Sequence, residues 1–569
     1  MRFALPTAAV LSIVCGCASI GETPQEPARL SPTFGEPVSQ NAVPRPSELA
    51  AQSSAGAWFR SEVLGSLLAP IRDRAISRDG LHFATVAQRG MKMIVLVDGQ
   101  AGPAYDGIAQ GSLVFSSDGK HLAYNAKKGQ KYLQVIDGRA GPEYESLVGA
   151  LVFSPDGRRV AYVACKGQKP FVVVDGQAGP EYDATVKGTP FFSPDGKHVA
   201  YVAKKGQKYV AVVDGREGPE YDGIGVVPVF SPDGTRLAYR ARNDQKYFVV
   251  VDGQAGPGCD GVGMDTPVFS PDSKRMAYVA KKGQKYVVVM DGREGPEYDG
   301  IGNATPVFAP QDRHLVYVAI HGQKQLLVVD GEAGPEYDAI TLATPVFSTD
   351  GQRVAYGAKK GQKSLVVVDG QAGPEYDGIG TPVFSPDGKR VAHIAKNGQK
   401  QLVAIDGQPG PEYEGIDANS PVFSPDGQHV AYGAKNGQKW LVLIDGQPGP
   451  EYDGIGDSSP VFSPDGKRVA YDVKKGQKWL VVVDGQEGLE YDAITGGAPF
   501  FSPDGKRVAH GAKKGRKHLM VVNGQPGPEY DGIVLFPPAK LAFDANGALA
   551  YLAMKASTLY RVCHDMPPP

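Results

Sequence analysis

The sequence predicts an all-β protein, a β-propeller built from about 12 to 13 four-stranded blades of about 39 residues, and three observations lead to this fold. One phrase returns about thirteen times at intervals of 37 to 40 residues. No segment offers ten residues of helical periodicity. Each unit is too small to bury a core of its own, so it must stack on its neighbours.

The unit is clearest at residues 459–494, SPVFSPDGKRVAYDVKKGQKWLVVVDGQEGLEYDAI. Strand A is predicted over the TPVFS-type phrase, which ends in a Ser-Pro-Asp-Gly turn. Strand B is RVAYVA, followed by the KKGQK turn, and strand C is LVVVD, which closes at Asp-Gly. A fourth strand is predicted over EYDGI. Strand C is apolar on both faces, as in a sheet covered on both sides; a β-solenoid is the alternative, but its repeats are usually shorter.

The phrase PVFSPDGKRVAY resembles the PD40, or TolB-like, class of WD40-related propeller repeats, over roughly residues 70–555. This resemblance implies the propeller fold. It implies little about function, because the class includes scaffolds, periplasmic binding proteins and the non-catalytic propellers of peptidases.

The number of blades follows from counting units. Twelve are complete, and the thirteenth, at residues 540–562, has three strands. The extended stretch Ala57–Leu64 precedes the first unit and is predicted to supply the missing strand by pairing the two chain ends. Thirteen blades exceed the usual four to eight, which favours two rings, about 58–302 and 303–563. One large ring is the alternative, and no linker interrupts the period.

The N-terminal segment is predicted to direct export. Residues 1–17 read as a signal peptide, and Val14-Cys15-Gly16-Cys17 resembles a bacterial lipobox with Cys17 as the lipidated residue. Ala18 after that cysteine, compared with Gram-negative lipoproteins, implies an outer-membrane lipoprotein facing the periplasm or the exterior; simple secretion is the alternative. Residues 18–57 are predicted to be a disordered tether, residues 58–563 the repeats and 564–569 a tail.

Composition narrows the function classes. The repeats leave no room for a separate catalytic domain, and the net charge of −2 does not indicate nucleic-acid binding. Cys165, Cys259 and Cys563 show no repeated spacing, so no disulfide framework or zinc site is predicted. The Asp residues of SPDG and VDG are expected to accept backbone hydrogen bonds, and Tyr182 and Tyr221 to be packing residues with satisfied hydroxyls. No catalytic residue, metal or cofactor is predicted.

Strand alternation predicts the two faces of the ring. SPDG turns and DGQAGPEYD segments are placed on one face, which is rich in acid, and KKGQK turns on the other. The variable connections into strand A, such as GIGNATP and GIDANSP, are placed on the basic face near the channel. The candidate binding residues are the lysines of six KKGQK turns: Lys127, Lys128, Lys131, Lys204, Lys205, Lys208, Lys281, Lys282, Lys285, Lys359, Lys360, Lys363, Lys474, Lys475, Lys478, Lys513, Lys514 and Lys517.

These observations predict a non-catalytic, envelope-anchored propeller, a monomer that binds a protein or an anionic envelope polymer and touches the membrane only through its lipid. Two alternatives stay open: a hydrolase or lyase with a site in the channel, and a purely structural spacer. Lysine and glycine also simply make soluble turns, so copying alone accounts for the basic face.

Overall fold

A computed structural model of the chain describes residues 14–15, 59–66, 73–186, 188, 190–225, 228–302, 306–312, 314–341, 345–456, 460–534, 543, 548–556 and 558–564. The predicted signal peptide, Cys17 and the tether therefore lie outside the described residues, except for a two-residue strand at Val14–Cys15 that pairs with Ala184–Val186. In the part that is described, no helix is long and apolar enough to cross a bilayer.

The described chain forms thirteen antiparallel sheets, one for each predicted blade. In every blade the strands lie in the order A, B, C, D. Strands B run over seven residues, of which about the first five are buried on both faces and the last two lead into the lysine-rich turn. They are Phe83–Arg89, Leu122–Lys128, Val160–Lys166, Val199–Lys205, Leu237–Asn243, Met276–Lys282, Leu315–His321, Val354–Lys360, Val391–Asn397, Val430–Asn436, Val469–Lys475, Val508–Lys514 and Leu549–Lys555.

Strands C follow after a two-residue turn and pair with B along their whole length. They are Lys92–Val97, Lys131–Ile136, Lys169–Val174, Lys208–Val213, Lys246–Val251, Lys285–Met290, Lys324–Val329, Lys363–Val368, Lys400–Ile405, Lys439–Ile444, Lys478–Val483, Lys517–Val522 and Thr558–His564.

Strands D form the outer edge of each blade and begin earlier than the predicted EYDGI. They are Gln100–Tyr105, Arg139–Tyr144, Gln177–Ala178, Arg216–Tyr221, Gln254–Ala255, Arg293–Glu294, Glu332–Tyr337, Gln371–Ala372, Gln408–Pro409, Gln447–Pro448, Gln486–Glu487 and Gln525–Pro526. The tyrosine of the EYD phrase pairs with strand C of the same blade, as Tyr286 does with Tyr298. The Gly-Ile that follows belongs to strand A of the next blade, so the predicted fourth strand is divided between two blades.

Strands A lie innermost, because the A strands of neighbouring blades contact each other. Most consist of two short pieces on the same strand B, separated by the variable segment: Gly107–Ile108 and Val114–Phe115, Ala184–Val186 and Phe191–Phe192, Gly223–Ile224 and Val229–Phe230, Gly261–Val262 and Val268–Phe269, Gly300–Ile301 and Val307–Phe308, Ala339–Ile340 and Val346–Phe347, Gly378–Ile379 and Val383–Phe384, Gly415–Ile416 and Val422–Phe423, Gly454–Ile455 and Val461–Phe462. The others are Arg74–Ile76, Ser146–Phe153, Ala493–Phe501 and Gly532–Val534, and a 3-10 turn spans Pro310–Asp312. The described variable segments, such as those at 109–113, 263–267 and 417–421, thus interrupt the inner strand and do not lie beside the lysine-rich turns as predicted.

Of the two arrangements that the sequence left open, the structure has the single large ring. A cluster of buried apolar side chains joins each blade to the next, from Val95 and Leu133 between blades 1 and 2 to Met520 and Leu549 between blades 12 and 13. The last cluster joins blade 13 to blade 1. No break separates residues 58–302 from 303–563, since Tyr298 of blade 6 packs against blade 7.

The N-terminal strand closes the ring, as the sequence predicted. Phe59–Ser66 pairs with Thr558–His564 and is strand D of blade 13. Leu64 of this strand packs with Leu559 and with Phe83 of blade 1. Arg561 donates hydrogen bonds from Nε and Nη2 to the Leu81 carbonyl of blade 1 at 2.9 and 2.7 Å.

Tyrosine pairs repeat between the blades. The tyrosine after strand D meets the strand B tyrosine of the next blade edge to face, with ring centroids 6.1 Å apart for Tyr182 and Tyr201. Such a pair contributes about 0.5–1.5 kcal/mol beyond its buried area. The packing role predicted for Tyr182 is therefore confirmed.

The cysteines need one correction. Cys165 is disulfide-bonded, whereas Cys259 and Cys563 do not take part in a disulfide. A single disulfide bond is not the network of disulfides that the cysteine spacing had excluded.

Candidate functional site

The lysine turns lie between strands B and C, so the eighteen predicted binding lysines come to one face of the ring, which we call the lysine face. The ends of strands D lie on the same face. The structure divides them into three sets by their position in KKGQK.

The third lysine of each turn is paired with a carboxylate of its own blade. Lys208 Nζ lies 2.7 Å from Asp222 Oδ1, and the pKa of Asp222 is lowered first by this hydrogen bond and then by a backbone N–H from the next blade. The pairs are Lys131–Glu145, Lys208–Asp222, Lys285–Asp299, Lys363–Asp377, Lys478–Asp492 and Lys517–Asp531.

The same Asp also joins two blades. Asp299 Oδ2 accepts the backbone N–H of Gly322 in the lysine-face turn of the next blade at 2.8 Å, while its Oδ1 accepts the Lys285 ammonium at 2.6 Å. We call this arrangement the aspartate clamp. Equivalent bonds to the next blade run from Asp106 to Gly129, Asp183 to Gly206, Asp260 to Gly283, Asp338 to Gly361, Asp377 to Gly398, Asp453 to Gly476 and Asp492 to Gly515.

The aspartate clamp corrects the predicted separation of charge. The EYD carboxylates were placed on the face opposite to the lysines, but strand D ends at the lysine face and carries them there. Both faces therefore carry mixed charge, and the third lysines are used in holding the ring together.

In five of the six turns the second lysine is paired with a glutamate in strand D or just after it. The pairs are Lys128–Glu143, Lys205–Glu217, Lys282–Glu294, Lys360–Glu375 and Lys475–Glu487. These side chains are about half exposed, and exposed pairs contribute only about 0–1 kcal/mol each. For Lys514 no such pair is seen among the described residues.

The first lysine of each turn differs from the other two. Within the described ranges no carboxylate oxygen lies within 4 Å of Nζ of Lys127, Lys204, Lys281, Lys359, Lys474 or Lys513. Three of these ammonium groups stand over a tyrosine ring of strand C, with Lys127, Lys204 and Lys281 at 5.6, 6.0 and 5.7 Å from the centroids of Tyr132, Tyr209 and Tyr286. A cation over an aromatic ring keeps its net charge. This set therefore forms no direct ion pair in the described structure, and its charges add, after the direct hydrogen bonds, to the lowering of the pKa of aspartates such as Asp106 and Asp338.

The opposite face is built from turns, as predicted. Ser193 Oγ donates to Asp195 Oδ1 at 2.6 Å, and together with the Lys197 N–H this holds the pKa of Asp195 at about 2. The Asp of each VDG turn has a φ near +50°, where Asp is tolerated, and accepts the N–H that begins strand B, as Asp98 does from Phe83 at 2.9 Å. Both carboxylates therefore have the structural role that the sequence indicated.

The sequence did not predict the contacts of the aspartate clamp or the hydrogen bond from serine to aspartate. Their partners lie one blade away or across a turn, and only the fixed offsets of Asp and Ser within the period gave a signal. Among the described residues, no three His, Cys, Asp or Glu side chains come together as a metal-binding group.

Comparison with known proteins agrees with the repeat. The family described as the TolB beta propeller domain, PD40, matches residues 142–337. A search of curated proteins gave no match.

Solved structures similar to the chain include a eukaryotic initiation factor, at 13% identity, a TM-score of 0.28, and coverage of 72% of this chain and 96% of that one. TolB from Acinetobacter baumannii has 14% identity, a TM-score of 0.19, and coverage of 46% and 78%. The β-propeller domain of the Trilobed protease from Pyrococcus furiosus has 14% identity, a TM-score of 0.24, and coverage of 46% and 94%. Because these TM-scores are low, the fold is assigned from the family match and from the thirteen sheets that the structure describes. Both confirm the resemblance seen in the sequence: the described chain folds as a β-propeller, and its residues 142–337 are similar to the PD40 family.

Proposed function

We propose that this propeller is a non-catalytic binding protein of the cell envelope that engages an anionic partner through its lysine face. One observation carries the proposal: the first lysines repeat around that face without a carboxylate partner, while the second and third lysines are largely paired. The binding surface is therefore narrower than the sequence indicated, one lysine per turn instead of three.

The chemistry of the repeated carboxylates supports a binding role over catalysis. The Asp residues of SPDG, VDG and EYD each accept hydrogen bonds within a turn or between blades, which fixes their orientation. A ring of like charges at regular spacing raises the local potential and attracts a polyanion or an acidic protein surface. Such attraction weakens as salt rises.

The test is binding to the immobilised polyanion dextran sulfate at low and high salt. Gln in place of Lys204, Lys281 and Lys359 is expected to weaken binding at least fivefold at low salt, or about 1 kcal/mol. The matched control puts Gln at Lys205, Lys282 and Lys360, the paired lysines next to them, and is expected to change affinity less than threefold. A pull-down from an envelope extract with the same two variants then separates polymer from protein partners. Equal retention of every ligand by both variants would contradict the proposal.

Anchoring is a second part of the proposal, and its support is the lipobox-like Val14-Cys15-Gly16-Cys17. Cys17 is proposed to be lipidated, which places the ring at the outer membrane. Cleavage before Cys17 removes Cys15 and lipidation uses the Cys17 thiol, so in this proposal the disulfide of Cys165 belongs to the uncleaved chain. Labelling cells with a palmitate analogue should mark the wild-type protein but not Cys17→Ser. An unlabelled wild-type protein would remove the anchor from the proposal and leave a secreted propeller.

A further inference from the structure

The interfaces between blades fall into two kinds, according to the residue just before strand B. This residue is arginine in blades 3, 5, 6, 8, 9, 11 and 12 and histidine in blades 1, 2, 4, 7 and 10. In blades 3, 8, 9 and 11 the guanidinium lies over the strand A phenylalanine of the next blade and donates to carbonyl oxygens of that blade's SPDG turn, and in blades 5 and 6 it lies over the corresponding ring. These contacts join Arg159 to Phe192, Gly196 and Lys197, Arg353 to Phe384, Gly388 and Lys389, Arg390 to Phe423 and Gln428, and Arg468 to Phe501, Gly505 and Lys506.

Blade 2 has His121 at this position, and its shorter side chain ends in its own blade. His121 Nδ1 lies 2.7 Å from Asp137 Oδ2. A cleft of about 640 Å³ opens between blades 2 and 3, lined by His121, Phe153, Gly157 and Arg158 among others. The Phe153 ring and the carbonyls of Gly157 and Arg158 are the groups that arginine engages elsewhere. Here no described residue donates to those carbonyls.

The Arg158 side chain does not take the vacant position. It is 85% exposed, and its Nε lies 3.9 Å from Asp156 of its own turn. A second cleft, of about 380 Å³, lies between blades 1 and 2, where His82 replaces the arginine. Clefts thus open at two interfaces where histidine stands in place of arginine.

The cleft between blades 2 and 3 has a polar floor that its repeats lack. Gln134 lines it and is 2% exposed, and its Oε1 has no hydrogen-bond partner in the described structure. Other strands C have an apolar residue at this position, such as Val172 and Val249. Asn125, opposite Gln134 on strand B, also has a buried oxygen, Oδ1, without a partner among the described residues. A buried acceptor without a donor costs about 1–3 kcal/mol, which a bound donor recovers.

We propose that this cleft binds the guanidinium of an arginine side chain from a partner protein. The guanidinium stacks on Phe153, donates to the carbonyls of Gly157 and Arg158, and satisfies Gln134 Oε1, while Asp137 supplies a compensating charge. The arginine of the partner thus makes the same contacts that Arg159 makes within the ring. The cleft is bordered by the SPDG and VDG turns, away from the lysine face, so this site is independent of the function proposed above.

The test is calorimetric titration of the full-length protein with N-acetyl-arginine amide. N-acetyl-citrulline amide, which has nearly the same shape but no charge, is the ligand control. We expect saturable binding of the arginine compound in the millimolar range and at least tenfold weaker binding of the citrulline compound. Gln134→Val, which restores the common residue, is expected to weaken binding severalfold.

His121→Arg provides the decisive variant, because it places the chain's own guanidinium in the cleft and is expected to abolish binding while the ring stays folded. His429→Arg makes the same exchange in blade 10, where strand C has Val442 in place of Gln134, and is expected to leave the affinity unchanged. Equal affinity for arginine and citrulline, unchanged binding in His121→Arg, or no saturable heat with wild-type protein would each overturn the proposal.

Discussion

The interfaces between successive blades and the interface between blade 13 and blade 1 are held by different residues. The successive interfaces repeat the aspartate clamp, the tyrosine pair and, in several blades, the arginine contact. The closing interface uses Leu64 of the N-terminal strand and Arg561, which bonds the Leu81 carbonyl and lies 2.9 Å from Asp98. Contacts that repeat at successive interfaces each contribute a small part of the ring's stability, whereas closure of the ring depends on a few residues that occur once.

Acid should weaken the copied interfaces most. His393 and His510 replace the strand B tyrosine, and burial lowers the pKa of each from 6.5 to about 4. The unfolded chain takes up these protons below about pH 6.5 and the folded chain only below about pH 4, so stability falls as the pH drops through this window. The loss at pH 4.5 is about 2.5 kcal/mol for each histidine.

The measurement is urea unfolding at pH 7 and pH 4.5, with the double variant His393→Tyr/His510→Tyr as comparison. The variant should lose about 5 kcal/mol less than wild type over this change, because tyrosine does not titrate there. The lowered pKa values of the aspartates affect both proteins alike. Equal losses would show that the two histidines take up protons in the folded ring.

Leu64→Ala should be the strongest single change at the closing interface. Leu64 is 3% exposed, and removing a buried leucine side chain costs about 2–5 kcal/mol. Val63 of the same strand is 52% exposed, so Val63→Ala is the matched control and should cost less than about 0.5 kcal/mol. Thermal unfolding measures both. A similar shift for the two variants would mean that the N-terminal strand adds nothing specific to closure.

Arg353→His should have the smallest effect and tests the copied contact alone. It replaces the arginine contact between blades 8 and 9 with the histidine arrangement of blade 2, removing the bonds to the carbonyls of Gly388 and Lys389. The expected cost is about 1–2 kcal/mol, with hydrogen exchange increased in blades 8 and 9 only. Increased exchange throughout the ring would show instead that the copied interfaces unfold as one unit.

The period alone was enough to predict the blades, their order and the closing strand, because each unit needs neighbours and Ala57–Leu64 was the one extended stretch left over. The start of strand D was missed for a physical reason. Gly and Pro in GQAGP indicate a turn, yet D is an edge strand, where the missing N–H of proline breaks no bond within the sheet. Moving the start of D brought the EYD carboxylates to the lysine face.

The candidate site could be predicted only as a set of lysines. Whether a lysine is paired depends on carboxylates twelve to fifteen residues later, as in Lys205–Glu217 and Lys128–Glu143, and on which way strand D runs. The number of blades in a ring depends on the angle between neighbouring blades, and no sequence pattern predicts that angle. The uninterrupted period was the one sequence observation that favoured the single ring.

The register of the closing blade has a consequence for how the chain is connected. Phe59 and His564 are direct partners across the sheet, so the first and last residues of the ring lie side by side. The chain could then begin at one of the exposed glycine turns, such as the one at Gly398, instead of at Phe59. A circularly permuted protein, joined between His564 and Phe59 by a short linker and opened at such a turn, should assemble the same thirteen sheets.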